Sequence, residues 1–369
     1  MSAPDAQRDI DMRMMSRAAR IALRGHGGAE PNPMVGCVIA TPAGDVISEG
    51  YHRRCGGPHA EVHALAAAGA RARGATAYVT LEPCAHHGRT PPCADALVRA
   101  GVARVVFARP DPNVAAQGGA QALRRAGIEA VHMPHAEAAA LTGGFARRTL
   151  HGLPRVIAKW AATADNRCVA CADRGRWITS VRSRQMVHRE RARVDAVLTT
   201  AATVAADDPH LMPRVSRMRR VPRRVIVDPS LGIPVGARVV RTAREGPVEI
   251  ACDPAARNAR APSDLAALEA AGVRWRDIDA GVPRADALRS LLGALSADGV
   301  ATVLTEAGPR LVRALLDADL VDEAWVFTST VVRGDPASAQ WPEPCAPGFS
   351  LVDERTRDSD VVRLWRRAR

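Results

Sequence analysis

Lysine is almost absent from this chain: Lys159 is the only one, and arginine supplies the rest of the positive charge. Aromatic residues make up only 3%, so the interleaved stacking surfaces that hold single-stranded nucleic acid are not expected. No apolar run approaches the ~18 residues of a membrane helix. Asp5, Asp9 and Asp11 precede any apolar stretch, which argues against a signal peptide. There is no Gly-x-Gly-x-x-Gly turn, so a Rossmann dinucleotide site is not expected. These absences predict a cytoplasmic protein with neither a membrane nor a nucleic acid as partner.

The formal net charge of +12 would attract polyphosphate. The positives are scattered, however, with short clusters only at Arg217–Arg224 and Arg363–Arg369. A small phosphorylated substrate satisfies the same chemistry with fewer residues. Eight cysteines in a chain without an export signal read as reduced thiols, some open to metal or catalytic use.

The 369 residues, 47% hydrophobic and 24% charged, suit two globular domains. Apolar periodicity predicts a helix over Met12–Leu23, strands at Val35–Ala40, Val46–Tyr51, Ala75–Leu81 and Val102–Ala108, and helices at His59–Arg73 and Cys93–Ala100. After an Ala-rich helix near Glu137–Leu150 the pattern restarts with a strand at Val156–Trp160, and strands and helices alternate again. This predicts an α/β fold with a largely parallel sheet, divided into domains 1–148 and 149–369. Arg217–Arg224 and the proline-rich Pro336–Phe349 read as surface loops.

The strongest chemical signal is His59-Ala60-Glu61, followed by Pro83-Cys84 and then Cys93. Catalytic zinc takes three protein ligands and keeps one position for water; one imidazole and two thiolates meet that count. A glutamate two residues after the histidine can face the water without binding the metal. Cys93 opens a helix, where unsatisfied N–H groups favour a thiolate. The order is that of the zinc deaminases, with an eight-residue insert between the cysteines where two are usual. A structural zinc is the alternative, with His86 or His87 as fourth ligand, but a helix-borne His-x-Glu has no use there. The expected chemistry is hydrolytic deamination of a heterocycle, with Glu61 taking the water's proton and delivering it to the leaving ammonia.

In the second half the only cofactor signal read from residues alone is Thr305-Glu-Ala-Gly-Pro-Arg310, a glycine turn between strand and helix where backbone N–H groups can hold a phosphate. Lys159, kept in a chain that otherwise uses arginine, suggests a site wanting a compact ammonium. Cys168 and Cys171 form a Cys-x-x-Cys pair without a second pair or a histidine at zinc spacing, and read as apolar-face residues.

The chain resembles the bifunctional riboflavin-pathway deaminase/reductase family. The matching stretches are Pro31-Asn-Pro-Met-Val-Gly36, His59-Ala-Glu61, Pro83-Cys-Ala-His-His-Gly-Arg-Thr-Pro-Pro-Cys93, Asp111-Pro-Asn113, Trp177-Ile-Thr179, Asp207-Asp-Pro209 and Glu306-Ala-Gly-Pro309. The resemblance implies a cytidine-deaminase-like three-layer N-terminal domain and a dihydrofolate-reductase-like C-terminal domain. The first would deaminate a diaminopyrimidinone ribosylamino phosphate with one Zn2+; the second would reduce the ribosyl group to ribityl with NADPH.

By the same resemblance, His59, Cys84 and Cys93 hold the metal and Glu61 is catalytic. Asn32, Asp111 and Asn113 bind substrate, with His52, His86 and Arg89 as neighbours; turn formation is the other reading of Asn32 and Asn113. In the reductase, Lys159 contacts the reacting sugar. Ala162, Trp177, Thr203, Asp207, Ser230 and Gly308 line the cofactor site, while Arg191, Leu211, Arg214 and Glu306 face substrate. A homo-oligomer, dimeric through the reductase domain, is expected. Thr163-Ala-Asp-Asn-Arg167 and Gly175-Arg176 depart from the family's usual residues, and predict as the alternative an altered or silent reductase in a specialised paralogue.

Overall fold

The computed structural model describes residues 3–86, 91–169, 177–215, 218–343 and 348–368. The chain divides into two units, Met1–Gly152 and Leu153–Arg369.

In the first unit, strands β1 (Gly36–Ala40), β2 (Val46–Tyr51), β3 (Thr76–Val79), β4 (Arg104–Phe107) and β5 (Glu129–His132) form one sheet in the order β2-β1-β3-β4-β5. β1 is antiparallel to both its neighbours, and β3, β4 and β5 run parallel. Among the described residues its α-helices are α1 (Ala3–Ala22), α2 (Ala60–Ala68), α3 (Cys93–Ala100), α4 (Gly119–Arg125) and α5 (Ala136–His151). Alternate strand residues explain the layering. Cys37, Ile39, Ala77, Val79, Val105 and Phe107 pack with α2, α3 and α4; Val38, Ala40, Tyr78 and Val106 pack with α1 and α5. Both faces of the central strands β1, β3 and β4 are covered, so these are buried almost throughout, while the outer β2 and β5 are partly exposed.

α1 begins well before Met12. Its first turns are largely exposed and carry no apolar stripe, so periodicity locates only the half that packs. Its buried Asp11 accepts from the Tyr78 hydroxyl (2.9 Å) and from both terminal nitrogens of Arg104 (2.8 Å each). α2 lies hard against β2: a Cβ on Gly50 would fall 2.2 Å from the Ala60 carbonyl oxygen. That glycine allows the approach that seats Glu61 beside the sheet.

Among the described residues the second unit has nine strands: β6 (Arg155–Ala162), β7 (Ala196–Thr200), β8 (Arg223–Val227), β9 (Val248–Cys252), β10 (Val273–Asp277), β11 (Thr302–Thr305), β12 (Glu323–Ser329), β13 (Phe349–Arg357) and β14 (Asp360–Arg367). Their order is β10-β9-β8-β7-β11-β6-β12-β14-β13, parallel as far as β12 and antiparallel beyond it. Its α-helices among the described residues are α6 (Val181–Arg191), α7 (Ala201–Asp207), α8 (Arg238–Arg241), α9 (Pro254–Ala259), α10 (Pro262–Ala271), α11 (Arg284–Ala297) and α12 (Pro309–Asp317). α11 and α12 pack on one face of the sheet, with Trp160 and Leu198.

Two loop expectations are corrected. Arg224 lies on β8 and is fully buried. It donates to the carbonyl oxygens of Thr242 (2.7 Å) and Gly246 (2.6 Å) and to the Thr242 hydroxyl (2.8 Å), so its charge is spent on backbone acceptors in place of water. Within Pro336–Phe349, Trp341 is buried and stacks on Trp160 at 5.7 Å. The β13–β14 hairpin escapes pattern reading because charged residues interrupt its apolar ones without a two-residue alternation, as befits a partly exposed ribbon at a sheet edge.

Candidate functional site

In the first unit, His59 caps α2 with an extended backbone and Glu61 sits in the first turn. Cys84 lies beyond the end of β3, and Cys93 is the first residue of α3. His59 Nδ1 is 3.2 Å from Cys93 Sγ and 3.7 Å from Cys84 Sγ. All three ligand atoms lie within 4.8 Å of one another. A tetrahedral zinc with ordinary bond lengths puts a nitrogen and a sulfur about 3.5 Å apart, so these residues fit that ion. Among the described residues, no fourth His, Cys, Asp or Glu belongs to this group. His86 has a buried Nδ1 without a partner. His87 and Arg89 lie outside the described residues.

The electrostatics favour the same reading. The Cys93 backbone N–H donates to Cys84 Sγ at 3.4 Å. Cys84 is brought down chiefly by its hydrogen bond with Cys93, helped by His59, while the Cys93 thiol is pushed up by the same contact and by burial. The pair therefore parts readily with one proton and holds the second. His59 is raised, mainly by its hydrogen bond with Cys84. Glu61 is buried and its carboxyl is raised by that burial, although His59 opposes the shift. Its Oε2 is buried with no hydrogen-bond partner, an acceptor left open beside three metal-type ligands.

Asn32 reaches this centre through His52. Pro58 O accepts from the His52 ring at 3.1 Å, and Asn32 Nδ2 lies 3.4 Å from His52 Nε2. The His52 ring stands edge-on to His59 at 5.4 Å. Asp111 is buried and close enough for its charge to act on His59 and Cys84. Its Oδ1 accepts from Asn113 N at 2.8 Å, and Asn113 Oδ1 accepts from Ala115 N at 3.2 Å, so Asn113 also makes the turn that its sequence allowed.

The second unit gathers a different group. β11 lies between β6 and β7. The chain leaves β7 toward β8, but leaves β11 toward β12 on the other side, and such a point of divergence opens a crevice at the strands' carboxyl ends. Glu306, just past β11, is tied to β7 by its N–H to Leu198 O (2.8 Å) and its carbonyl to the Thr199 hydroxyl (2.7 Å). Its carboxylate takes a two-pronged bond from Arg191, one branch at 2.9 Å, and lies 3.7 Å from Lys159 Nζ. Burial raises the Glu306 carboxyl, but Arg191 and Lys159 overcome this and hold it at about 2. Burial lowers Lys159, against the pull of Glu306.

His188, which motif reading missed, precedes Arg191 by nearly one turn of α6. It accepts from the Arg214 backbone N–H at 3.3 Å. Burial, Arg191 and Arg214 bring it down to about 4, so it is neutral at physiological pH. Its only sequence signal is its spacing from Arg191.

Asp207 ends α7 and its charge reaches Lys159. Thr203 N and Oγ1 both meet the Thr200 hydroxyl, at 3.2 and 3.1 Å. Gly308 caps α12. Ala162 and Leu211 are buried in the apolar core. Trp177, with the Arg184 guanidinium 4.6 Å from its ring centre, and Ser230 are exposed. Cys168 packs on the core; its partner Cys171, and Gly175-Arg176, lie outside the described residues.

Comparison with known proteins agrees with both halves. Residues 8–109 match the family model for the cytidine and deoxycytidylate deaminase zinc-binding region, and residues 154–360 match that for the RibD C-terminal domain. Riboflavin biosynthesis protein RibD of Escherichia coli (strain K12) is 41% identical over 363 residues, covering 94% of this chain and 96% of its own. The Aquifex aeolicus protein of the same name is 36% identical over 333 residues and 90% of each chain.

Among solved structures, Acinetobacter baumannii RibD superposes with a TM-score of 0.79 at 37% identity over 98% of this chain and 99% of its own. The diaminohydroxyphosphoribosylaminopyrimidine deaminase/5-amino-6-(5-phosphoribosylamino)uracil reductase of Thermotoga maritima gives 0.81 at 31% identity with the same coverage. The fold is α/β, with a cytidine-deaminase-like N-terminal domain and a dihydrofolate-reductase-like C-terminal domain. With these matches spanning nearly its whole length, this chain belongs to the RibD family.

Proposed function

We propose that Glu61 carries the proton transfers of a deamination at the His59–Cys84–Cys93 centre, and that Lys159, Arg191 and Glu306 hold the sugar phosphate in a second reaction. The chain is a bifunctional enzyme of riboflavin biosynthesis, a zinc-dependent deaminase and an NADPH-dependent reductase acting on a small pyrimidine. We take its substrates to be those in the name of the Thermotoga maritima protein: first a diaminopyrimidinone ribosylamino phosphate, then its deaminated product. Residues 1–148 are assigned to the first step and 149–369 to the second.

Zinc, when bound, supplies a Lewis acid that lowers the pKa of water toward neutrality. Glu61 takes the proton that the attacking water sheds and passes it to the departing nitrogen, so water is consumed and ammonia released. Burial raises its carboxyl, which suits a group that must both accept and donate. Asn32, Asp111 and Asn113 would orient the ring.

In the second step, NADPH supplies the hydride. Glu306 takes the Nε and Nη2 branches of Arg191 and so locks the guanidinium with its Nη1 end left to donate to a phosphate, and the same carboxylate steadies the Lys159 ammonium beside the sugar. Arg214 and Leu211 would complete the substrate side, and Ala162, Trp177, Thr203, Asp207, Ser230 and Gly308 the cofactor side. The intact Lys159–Glu306–Arg191 cluster favours a working reductase over a silent one.

The observation that carries this reading is the open, buried acceptor of Glu61 beside three preassembled metal ligands. The test is to incubate the full chain with the diaminopyrimidinone ribosyl phosphate, with and without NADPH, and to follow ammonia and the nicotinamide absorbance. Ammonia release independent of NADPH, followed by NADPH oxidation, supports the reading. No ammonia refutes the first assignment, and ammonia without oxidation refutes the second. We further take the enzyme to be a cytoplasmic homodimer joined through the reductase sheet, whose outer strands β10 and β13 are each paired on one side only. A light-scattering mass equal to one 39.2 kDa chain would refute the dimer.

A further inference from the structure

We infer that Glu82 is a positioning residue for the deaminase, clamping the loop that carries Asp111 and Asn113 to the segment that carries Cys84. The inference rests on the reading above that this loop binds substrate.

Glu82 leaves the sheet just after β3 and is 9% exposed. Its backbone N–H donates to Arg109 O at 2.8 Å. Its two carboxylate oxygens then divide: Oε2 accepts from Asp111 N at 3.3 Å, and Oε1 accepts from Ala120 N, in the first turn of α4, at 3.0 Å. The beginning and the end of the 111–120 loop are thus held by one side chain. Between them, Ala85 N donates to Ala116 O at 3.1 Å and Gln117 Nε2 to Asp111 O at 2.8 Å. Gly119 completes the closure, since a Cβ there would fall 1.6 Å from the Pro83 carbonyl oxygen.

The chemistry of the clamp calls for a carboxylate. Two backbone donors approach two different oxygens, and only an ionised carboxylate accepts on both; an amide accepts on one and sets an N–H against the other donor. In a buried site water does not readily replace a lost partner. The contacts among His59, Cys84 and Cys93, and the Cys93 N–H that supports Cys84 Sγ, do not pass through Glu82. Losing the clamp therefore frees the substrate loop and leaves the metal ligands in place.

The test uses the full zinc-loaded chain and its Glu82→Ala and Glu82→Gln variants, comparing KM and kcat for ammonia release, zinc per chain, and NADPH oxidation on the deaminated substrate. Glu82→Ala is expected to raise the deaminase KM roughly tenfold or more, with kcat much less affected. Zinc should stay at the wild-type level and NADPH oxidation should be unaltered. Glu82→Gln, which keeps one acceptor, should lie between Ala and wild type. An unchanged KM in Glu82→Gln and Glu82→Ala overturns the inference, as does a loss of activity that follows loss of zinc at normal KM. Should Glu82→Ala fail to fold, the KM of Glu82→Gln decides alone. A wild-type chain that releases no ammonia refutes the underlying reading, and this inference with it.

Discussion

The metal centre takes its ligands from a stretch between residues 59 and 93, and each sits where a helix begins or a strand has just ended. The Lys159 cluster takes its members from β6, α6 and the end of β11, which become neighbours only when the sheet inserts β11 between β6 and β7. The first site is an arrangement of ligand types at short spacing, whereas the second is an electrostatic arrangement made by topology. They should respond differently to substitution. A change at the metal centre removes a chemical role outright, while a change in the cluster redistributes charge among buried partners.

The largest expected effect is at Glu61. Glu61→Gln should lower ammonia release by about 10²–10⁴-fold with zinc still bound and NADPH oxidation on the deaminated substrate intact. A drop in both activities would erase the distinction between the sites. Next is Glu306→Gln, which leaves Arg191 and Lys159 without their buried counter-charge. Breaking a buried pair from one side costs about 3–5 kcal/mol, to be read as a lower unfolding midpoint in urea. NADPH oxidation should fall and ammonia release should not.

The pH dependence of stability sharpens the same contrast. The Glu306 carboxyl is held at about 2 in the folded chain against an ordinary 4.5. A depressed acid contributes stability in full above its unfolded value, and loses it as pH falls from about 4.5 through about 2. Unfolding free energy should therefore decline more steeply over that window in wild type than in Glu306→Gln; parallel curves would contradict the ion-pair account. Lys159→Arg should reduce NADPH oxidation about tenfold, because a bulky planar fork replaces a compact ammonium, with ammonia release as the internal control. The smallest effect is expected at Asn113→Asp, which keeps the turn acceptor for Ala115 N but loses the amide donors. The deaminase KM should rise a few-fold, on the scale of one hydrogen bond of about 1 kcal/mol, with an unchanged melting temperature. An unchanged KM would leave Asn113 as a turn residue only.

What could be read from the chain follows the same division. His59, Glu61, Cys84 and Cys93 are legible because metal ligation demands particular residue types, and strand–helix alternation keeps them close. β2 and α3 are legible to the residue because apolar runs bounded by turn signals define them. Arg224 was hidden because burial of an arginine depends on carbonyls from distant turns. α1 was only half visible because its exposed start has no stripe, and the β13–β14 hairpin because its arginines break the apolar pattern. His188 and Glu82 act through backbone donors of Arg214, Asp111 and Ala120, and no motif encodes a partner of that kind. Lys159 stood out only through the scarcity of lysine, and its contact with Glu306 is a product of strand order.

The most direct measurement is metal content against deamination in a single preparation: zinc per chain and ammonia release, before chelation, after it, and after zinc is returned. One zinc per chain, activity lost with the metal and regained with it, is the predicted result. Ammonia release that persists in fully chelated protein, or a Cys84→Ser/Cys93→Ser chain that retains both zinc and activity, would contradict a deaminase built on His59, Cys84 and Cys93.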